Sequence, residues 1–65
     1  MKFFVIAGEA SGDMHAAKLI AKLQSQHTNA HFVGMGGDKM QAIGCQLLQH
    51  YREMAFMGVM AVLTN

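Results

Sequence analysis

A short apolar run, a glycine-containing turn and an amphipathic stretch, in that order, constrain the fold of this chain most. Residues 3–7 are all apolar and include aromatic and β-branched side chains, which is typical of a parallel strand covered on both faces. From Ala16 onward apolar residues recur with a helical period, so we predict a helix over residues 13–27, with Asp13 as its N-cap. This order predicts the start of an open α/β sheet, whose ligands lie at the carboxyl ends of the strands.

The next segments continue the same alternation of strands and helices. Residues 31–35 predict a second strand, because they combine aromatic and β-branched residues and are followed by glycines. Asp38 is expected to cap a short helix that runs through Ile43, with Gly44 after it in the left-handed conformation. Residues 45–49 predict a third short strand. The resulting β-α-β-α-β order is that of an α/β domain built on a parallel sheet.

The last apolar stretch, residues 54–63, is predicted to be a helix that other parts of the protein cover. Four of its residues fit one helical face, and further apolar residues occupy the other faces. The four are Phe56, Val59, Met60 and Leu63. Since a sheet this small leaves edges and faces bare, residues 1–65 are expected to be the amino-terminal part of a larger, here incomplete, domain.

Composition and charge exclude several classes of protein. The chain has five lysines and arginines and four acidic residues, which gives a net charge of +1. The basic residues form no stripe of the kind that binds nucleic acid. The single Cys45 cannot form an internal disulfide, and the histidines lack metal-ligand spacing, so no metal site is predicted. No apolar run reaches the ~20 residues of a membrane span. The apolar run near Met1 is shorter than the roughly 7–15 residues of a signal-peptide core, which favours a cytoplasmic chain.

The turn after the first predicted strand is the candidate binding site. Its glycine spacing matches neither the dinucleotide fingerprint nor the phosphate-binding P-loop, and it carries carboxylates where a phosphate site normally adds a cation. Carboxylates beside a serine suit the hydroxyl groups of a sugar. The candidate substrate-binding residues are Gly8, Glu9, Ser11, Gly12 and Asp13. A purely structural β-α connection remains the alternative interpretation of this motif alone.

Four blocks of sequence, in order and with matching spacing, resemble the amino terminus of bacterial lipid-A-disaccharide synthases. These blocks are residues 5–13, 32–37, 40–42 together with 44–45, and 54–59. The resemblance covers almost the whole chain. It implies a glycosyltransferase of the GT-B fold, in which two Rossmann-like domains face each other across a cleft, and this chain begins the acceptor-side domain.

The resemblance also implies the reaction. Such enzymes transfer 2,3-diacylglucosamine from UDP-2,3-diacylglucosamine to 2,3-diacylglucosamine 1-phosphate (lipid X), and they release UDP and form the β-1,6-linked lipid A disaccharide with inversion. No metal or other cofactor is expected. The nucleotide-binding carboxy-terminal domain and the general base are expected beyond residue 65, so the remainder of the polypeptide is needed and residues 1–65 alone are expected to be inactive.

A membrane partner follows from the same resemblance, because both substrates are lipids of the inner membrane. The protein is therefore expected to be cytoplasmic and peripheral on the inner membrane of a Gram-negative bacterium, with Met60, Val62 and Leu63 as candidate membrane contacts. The alternative for the whole chain is a small standalone α/β module that binds a nucleotide or a sugar.

Overall fold

The structure is a computed structural model that describes residues 1–53 and 60–64, and its strands form one sheet in the order β3-β2-β1-β4. Strands β1 and β2 pair in parallel, as do β2 and β3, whereas β4 runs antiparallel to β1. The elements are β1 Lys2–Ala7, α1 Ala10–Gln26, β2 His31–Gly36, α2 Asp38–Ala42, β3 Gln46–His50, a 3₁₀ turn Tyr51–Glu53 and β4 Met60–Thr64. The predicted start of a Rossmann-like α/β domain is confirmed.

The core lies between the sheet and its two helices. Alternate residues of β1 are buried because successive side chains of a strand point to opposite faces. Phe3 stacks on Phe32 of the neighbouring strand with 5.0 Å between ring centroids. Ile20 from α1 and Met40 from α2 are fully buried in the same cluster. Burial of such side chains contributes about 1.5–3 kcal/mol each and holds both helices on one face of the sheet.

The first helix begins at Ala10, so the prediction that Asp13 is its N-cap is wrong. Glu9 is the N-cap residue, and its side chain makes no capping hydrogen bond. The Asp13 N–H already donates to the Glu9 carbonyl oxygen at 2.9 Å, which is a helical bond and places Asp13 inside the first turn. The helix ends at Gln26, with His27 as its C-cap.

The second helix begins and ends one residue earlier than predicted. Asp38 is its first residue and Gly37 its N-cap, so the prediction that Asp38 caps this helix is wrong. The helix ends at Ala42, and Gly44 follows with a φ of 107°, which confirms the predicted left-handed glycine. The third strand begins one position later than predicted, after the buried Cys45.

The prediction of a helix over residues 54–63 is wrong for residues 60–63, which belong to strand β4. The free edge of β1 supplies the reason, since its unpaired N–H and C=O groups form a ladder with β4 in the register Val5↔Val62. An all-apolar segment does not distinguish a helix from a buried strand by periodicity. Phe56 and Val59 lie outside the described residues.

The second face of the sheet carries no helix within the described residues. Phe4, Ile6, Val33 and Met35 lie half-buried on this face. Strands β1, β2 and β3 follow one another in one direction across the sheet. Right-handed crossover connections between them therefore place α1 and α2 on the same face of the sheet. Neither helix of the described ranges combines the length and apolarity that a bilayer span requires.

Candidate functional site

The carboxyl ends of the three parallel strands meet at one edge of the sheet, where we place the candidate site. Strand β1 leads through Gly8 and Glu9 into α1, β2 leads through Gly37 into α2, and β3 leads into the 3₁₀ turn at Tyr51. Parallel strands bring these connections together in space. The predicted binding turn therefore lies at the edge where open α/β sheets hold their ligands.

Asp13 joins two of these connections. It is 4% exposed, and its Oδ1 accepts hydrogen bonds from the backbone N–H groups of Gly37 at 2.9 Å and Met40 at 3.0 Å. Its Oδ2 accepts a third from the Lys39 N–H at 3.0 Å. The first N–H groups of any helix lack a partner within the helix, and here a carboxylate from another helix supplies it. Asp13 thus caps α2 and fixes its start against α1.

Glu9 and Ser11 form the solvent-facing part of the turn. The Ser11 hydroxyl donates to Glu9 Oε1 at 2.8 Å in an exposed hydrogen bond. Both carboxylate oxygens and the hydroxyl oxygen retain capacity to accept hydrogen bonds from a ligand. Gly8 is buried and Gly12 is half-buried in α1. Of the five predicted site residues, the structure therefore brings Glu9 and Ser11 together at the surface and uses Asp13 beneath them.

A second polar group at the same edge was not predicted. His50 Nε2 lies 3.1 Å from Asp38 Oδ1, and the Arg52 backbone N–H donates to His50 Nδ1 at 3.2 Å. Since Nδ1 accepts a hydrogen bond, the neutral ring carries its proton on Nε2 and donates it to Asp38. The Arg52 guanidinium lies 3.9 Å from the other Asp38 oxygen. The sequence signal for this cluster is positional: Asp38 follows the second predicted strand and its glycines, and His50 follows the third predicted strand.

Comparison with known proteins identifies the family of this chain. The family model described as lipid-A-disaccharide synthetase matches residues 3–65. The chain belongs to this family. A lipid-A-disaccharide synthase from Xanthomonas oryzae pv. oryzae is 52% identical over 64 residues, which are 98% of this chain and 15% of that protein.

Two further relatives in the lipid-A-disaccharide synthetase family come from other bacteria. The synthase from Myxococcus xanthus is 47% identical over 62 residues, 95% of this chain and 16% of that protein. The synthase from Vibrio vulnificus is 43% identical over 63 residues, 97% of this chain and 17% of that protein. The chain thus spans about one-sixth of the length of these synthases. No solved structure matches.

The single cysteine of this family member is not a reactive group. Cys45 is buried between α2 and β3. Burial raises the pKa of the Cys45 thiol, and the nearby Asp13 charge raises it further. The thiol therefore stays protonated near neutral pH, and a protonated thiol is a poor nucleophile. Among the described residues, no three side chains of the metal-ligating types converge on one point.

The candidate membrane contacts of this family member lie on β4. Val62 pairs with Val5 and packs against the core. Leu63, which is 60% exposed, pairs with Phe4 on the opposite face of the sheet. Met60 pairs with Ala7 in the same ladder. Val62 and Leu63 therefore do not share a face, and Leu63 is the more exposed of the two.

Proposed function

We propose that the complete gene product carrying this sequence is a lipid-A-disaccharide synthase. It would transfer 2,3-diacylglucosamine from UDP-2,3-diacylglucosamine to 2,3-diacylglucosamine 1-phosphate, with release of UDP. The observation that carries the proposal is the family match over residues 3–65, together with 52% identity to a protein of that name. The solvent-facing Glu9 and Ser11 at the carboxyl edge of the sheet support it.

In this proposal the described edge binds the acceptor sugar. The Glu9 carboxylate accepts hydrogen bonds from acceptor hydroxyls, and Ser11, already bonded to Glu9 at 2.8 Å, keeps that carboxylate in one orientation. Hydrogen bonds to a charged group are about twice as strong as those between neutral groups. Asp13 acts beneath them by holding the start of α2 at the same edge.

The chemical step is assigned to an inverting displacement. The acceptor 6-hydroxyl attacks the donor anomeric carbon as the bond to UDP breaks, and a general base takes the hydroxyl proton. Groups that stabilise the departing diphosphate must also be present. The base and the UDP-binding groups are assigned to residues beyond Asn65, in a second domain of the GT-B fold.

The proposed substrates place the enzyme at the cytoplasmic face of the inner membrane. Both are diacylated sugars, and a peripheral enzyme reaches such lipids without a membrane-spanning helix. Leu63 of β4, a large apolar side chain exposed to solvent, is one candidate for the surface that meets the membrane.

Incubation of the complete gene product with both purified substrates tests this function. We expect the tetraacylated disaccharide 1-phosphate by mass spectrometry and one equivalent of UDP per disaccharide. Residues 1–65 alone are expected to give neither product, because they lack the donor-binding groups. A folded complete protein that forms no disaccharide, or that hydrolyses the donor without acceptor, would refute the proposal.

A further inference from the structure

A groove on the helix-bearing side of the molecule lies between α1 and α2. Its volume is about 400 Å³, and the residues that line it are Ala17, Lys18, Ala21, Lys39, Ala42 and Ile43. The walls are apolar, since alanine methyl groups and the Ile43 side chain face the space. Small side chains on both helices leave room that larger residues would fill. Volumes of about 300–1,000 Å³ are typical of small-molecule sites.

The two polar residues of this groove are both lysines. Lys18 and Lys39 are exposed, and no carboxylate belongs to the lining. Within residues 1–53 and 60–64, neither lysine forms an ion pair, since the ion pairs found there join Asp38 to His50 and Arg52. Lysine side chains lay their methylene stems along apolar surface and keep the ammonium at the polar boundary. An apolar groove with two unpaired cations complements an amphiphile that carries negative charge.

The position of the groove relates it to the candidate site. Lys39 lies in the first turn of α2, which Asp13 holds at the carboxyl edge of the sheet through the Lys39 N–H. A ligand seated between the helices would therefore lie beside the edge where we place the acceptor. Leu63 is on the opposite face of the sheet, beside Phe4, so one flat membrane surface cannot engage both.

We propose that the α1–α2 groove binds an anionic phospholipid of the membrane surface. Lys18 and Lys39 would contact the headgroup phosphate, and the alanine-lined walls would contact the first methylene groups of an acyl chain. The inference rests on the proposed function for its biological setting, because docking here would bring the acceptor edge to the bilayer. The cytoplasmic leaflet carries negative surface charge, which attracts lysines close to it.

Co-sedimentation of the complete gene product with vesicles tests the proposal. We expect binding to vesicles that contain phosphatidylglycerol and little binding to pure phosphatidylcholine. Lys18→Gln and Lys39→Gln should each weaken the partition coefficient about fivefold, and together about 25-fold, the effect expected for a lysine close to an anionic surface. Ala21→Glu, which places a carboxylate in the wall, should weaken it at least as much as either lysine change.

Lys2→Gln is the matched control, because it removes the same charge at the other end of the sheet, and it should change the partition less than twofold. If Lys2→Gln and Lys18→Gln weakened vesicle binding equally, the net charge of the protein and not the groove would account for binding, and the proposal would be overturned. If Leu63→Gln weakened vesicle binding and the lysine variants did not, the membrane contact would lie on β4 and the proposal would be overturned. Destabilisation by Ala21→Glu without a change in vesicle binding would show that another part of the protein fills the groove. All groove variants should still form the disaccharide from detergent-dispersed substrates. This activity assay therefore distinguishes a failure of the proposed function from a failure of the groove proposal.

Discussion

Replacement of Gly34 by alanine is expected to cost about 3 kcal/mol or more of unfolding free energy, a large value for one methyl group. A Cβ at Gly34 would overlap the backbone carbonyl of Val5, with the Val5 carbonyl carbon only 2.8 Å away. Both residues lie in the paired strands β1 and β2. The overlap involves backbone and not a flexible side chain, so relief requires the central strands to separate.

Hydrogen–deuterium exchange of peptides from β1 and β2 in the complete gene product measures this effect. Protection should fall about a hundredfold, which is the equivalent of about 3 kcal/mol. The matched control is Gly12→Ala, where the added Cβ would lie 3.5 Å from the Ala7 Cβ, an ordinary contact. Alanine favours a helix over glycine by up to about 1 kcal/mol, so the control should be neutral or stabilising. Similar losses of protection for both variants would contradict the strand-packing account.

Replacement of Asp13 by alanine is expected to cost about 3–5 kcal/mol, because it removes the acceptor for three backbone N–H groups. The bonds from Gly37 and Met40 are buried, and water cannot replace a lost acceptor there without opening α2. The loss should therefore be local at first. Amides of α2 should exchange much faster, whereas those in the carboxy-terminal half of α1 should change less.

The control for Asp13 is Asp38→Ala in the same region. The Asp38 side chain is 74% exposed, and it pairs with His50 and Arg52 at the surface. Surface pairs of this kind contribute at most about 1 kcal/mol, so α2 amides should keep most of their protection. Unchanged exchange of α2 in Asp13→Ala would contradict the capping role assigned to that carboxylate.

The first strand, the second strand and the left-handed Gly44 could be predicted because each depends on neighbours in the sequence. An apolar β-branched run, a glycine pair and a glycine after a short helix are local signals. The position of Glu9 and Ser11 at the carboxyl edge of the sheet follows from the same local order. These parts of the fold and of the site needed no knowledge of tertiary contacts.

The role of Asp13 could not be predicted, because its partners lie 24 to 27 positions further along the chain. Asp13 has the residue type of a helix cap, but tertiary packing of α1 against α2 decides which helix it caps. Strand β4 escaped prediction for a related reason. Its apolar residues suit a helix or a strand, and the free edge of β1 decides between them.

The acceptor KM of the complete gene product, measured at saturating donor, tests most directly whether the Glu9–Ser11 edge binds the acceptor. Glu9→Gln should raise the acceptor KM about tenfold and Ser11→Ala about threefold, since each weakens hydrogen bonding to an acceptor hydroxyl. The donor KM and the amide protection of α2 should stay unchanged, and Glu53→Gln, the same substitution at an exposed residue after β3, should have no effect. An unaltered acceptor KM in both Glu9→Gln and Ser11→Ala would contradict the central claim.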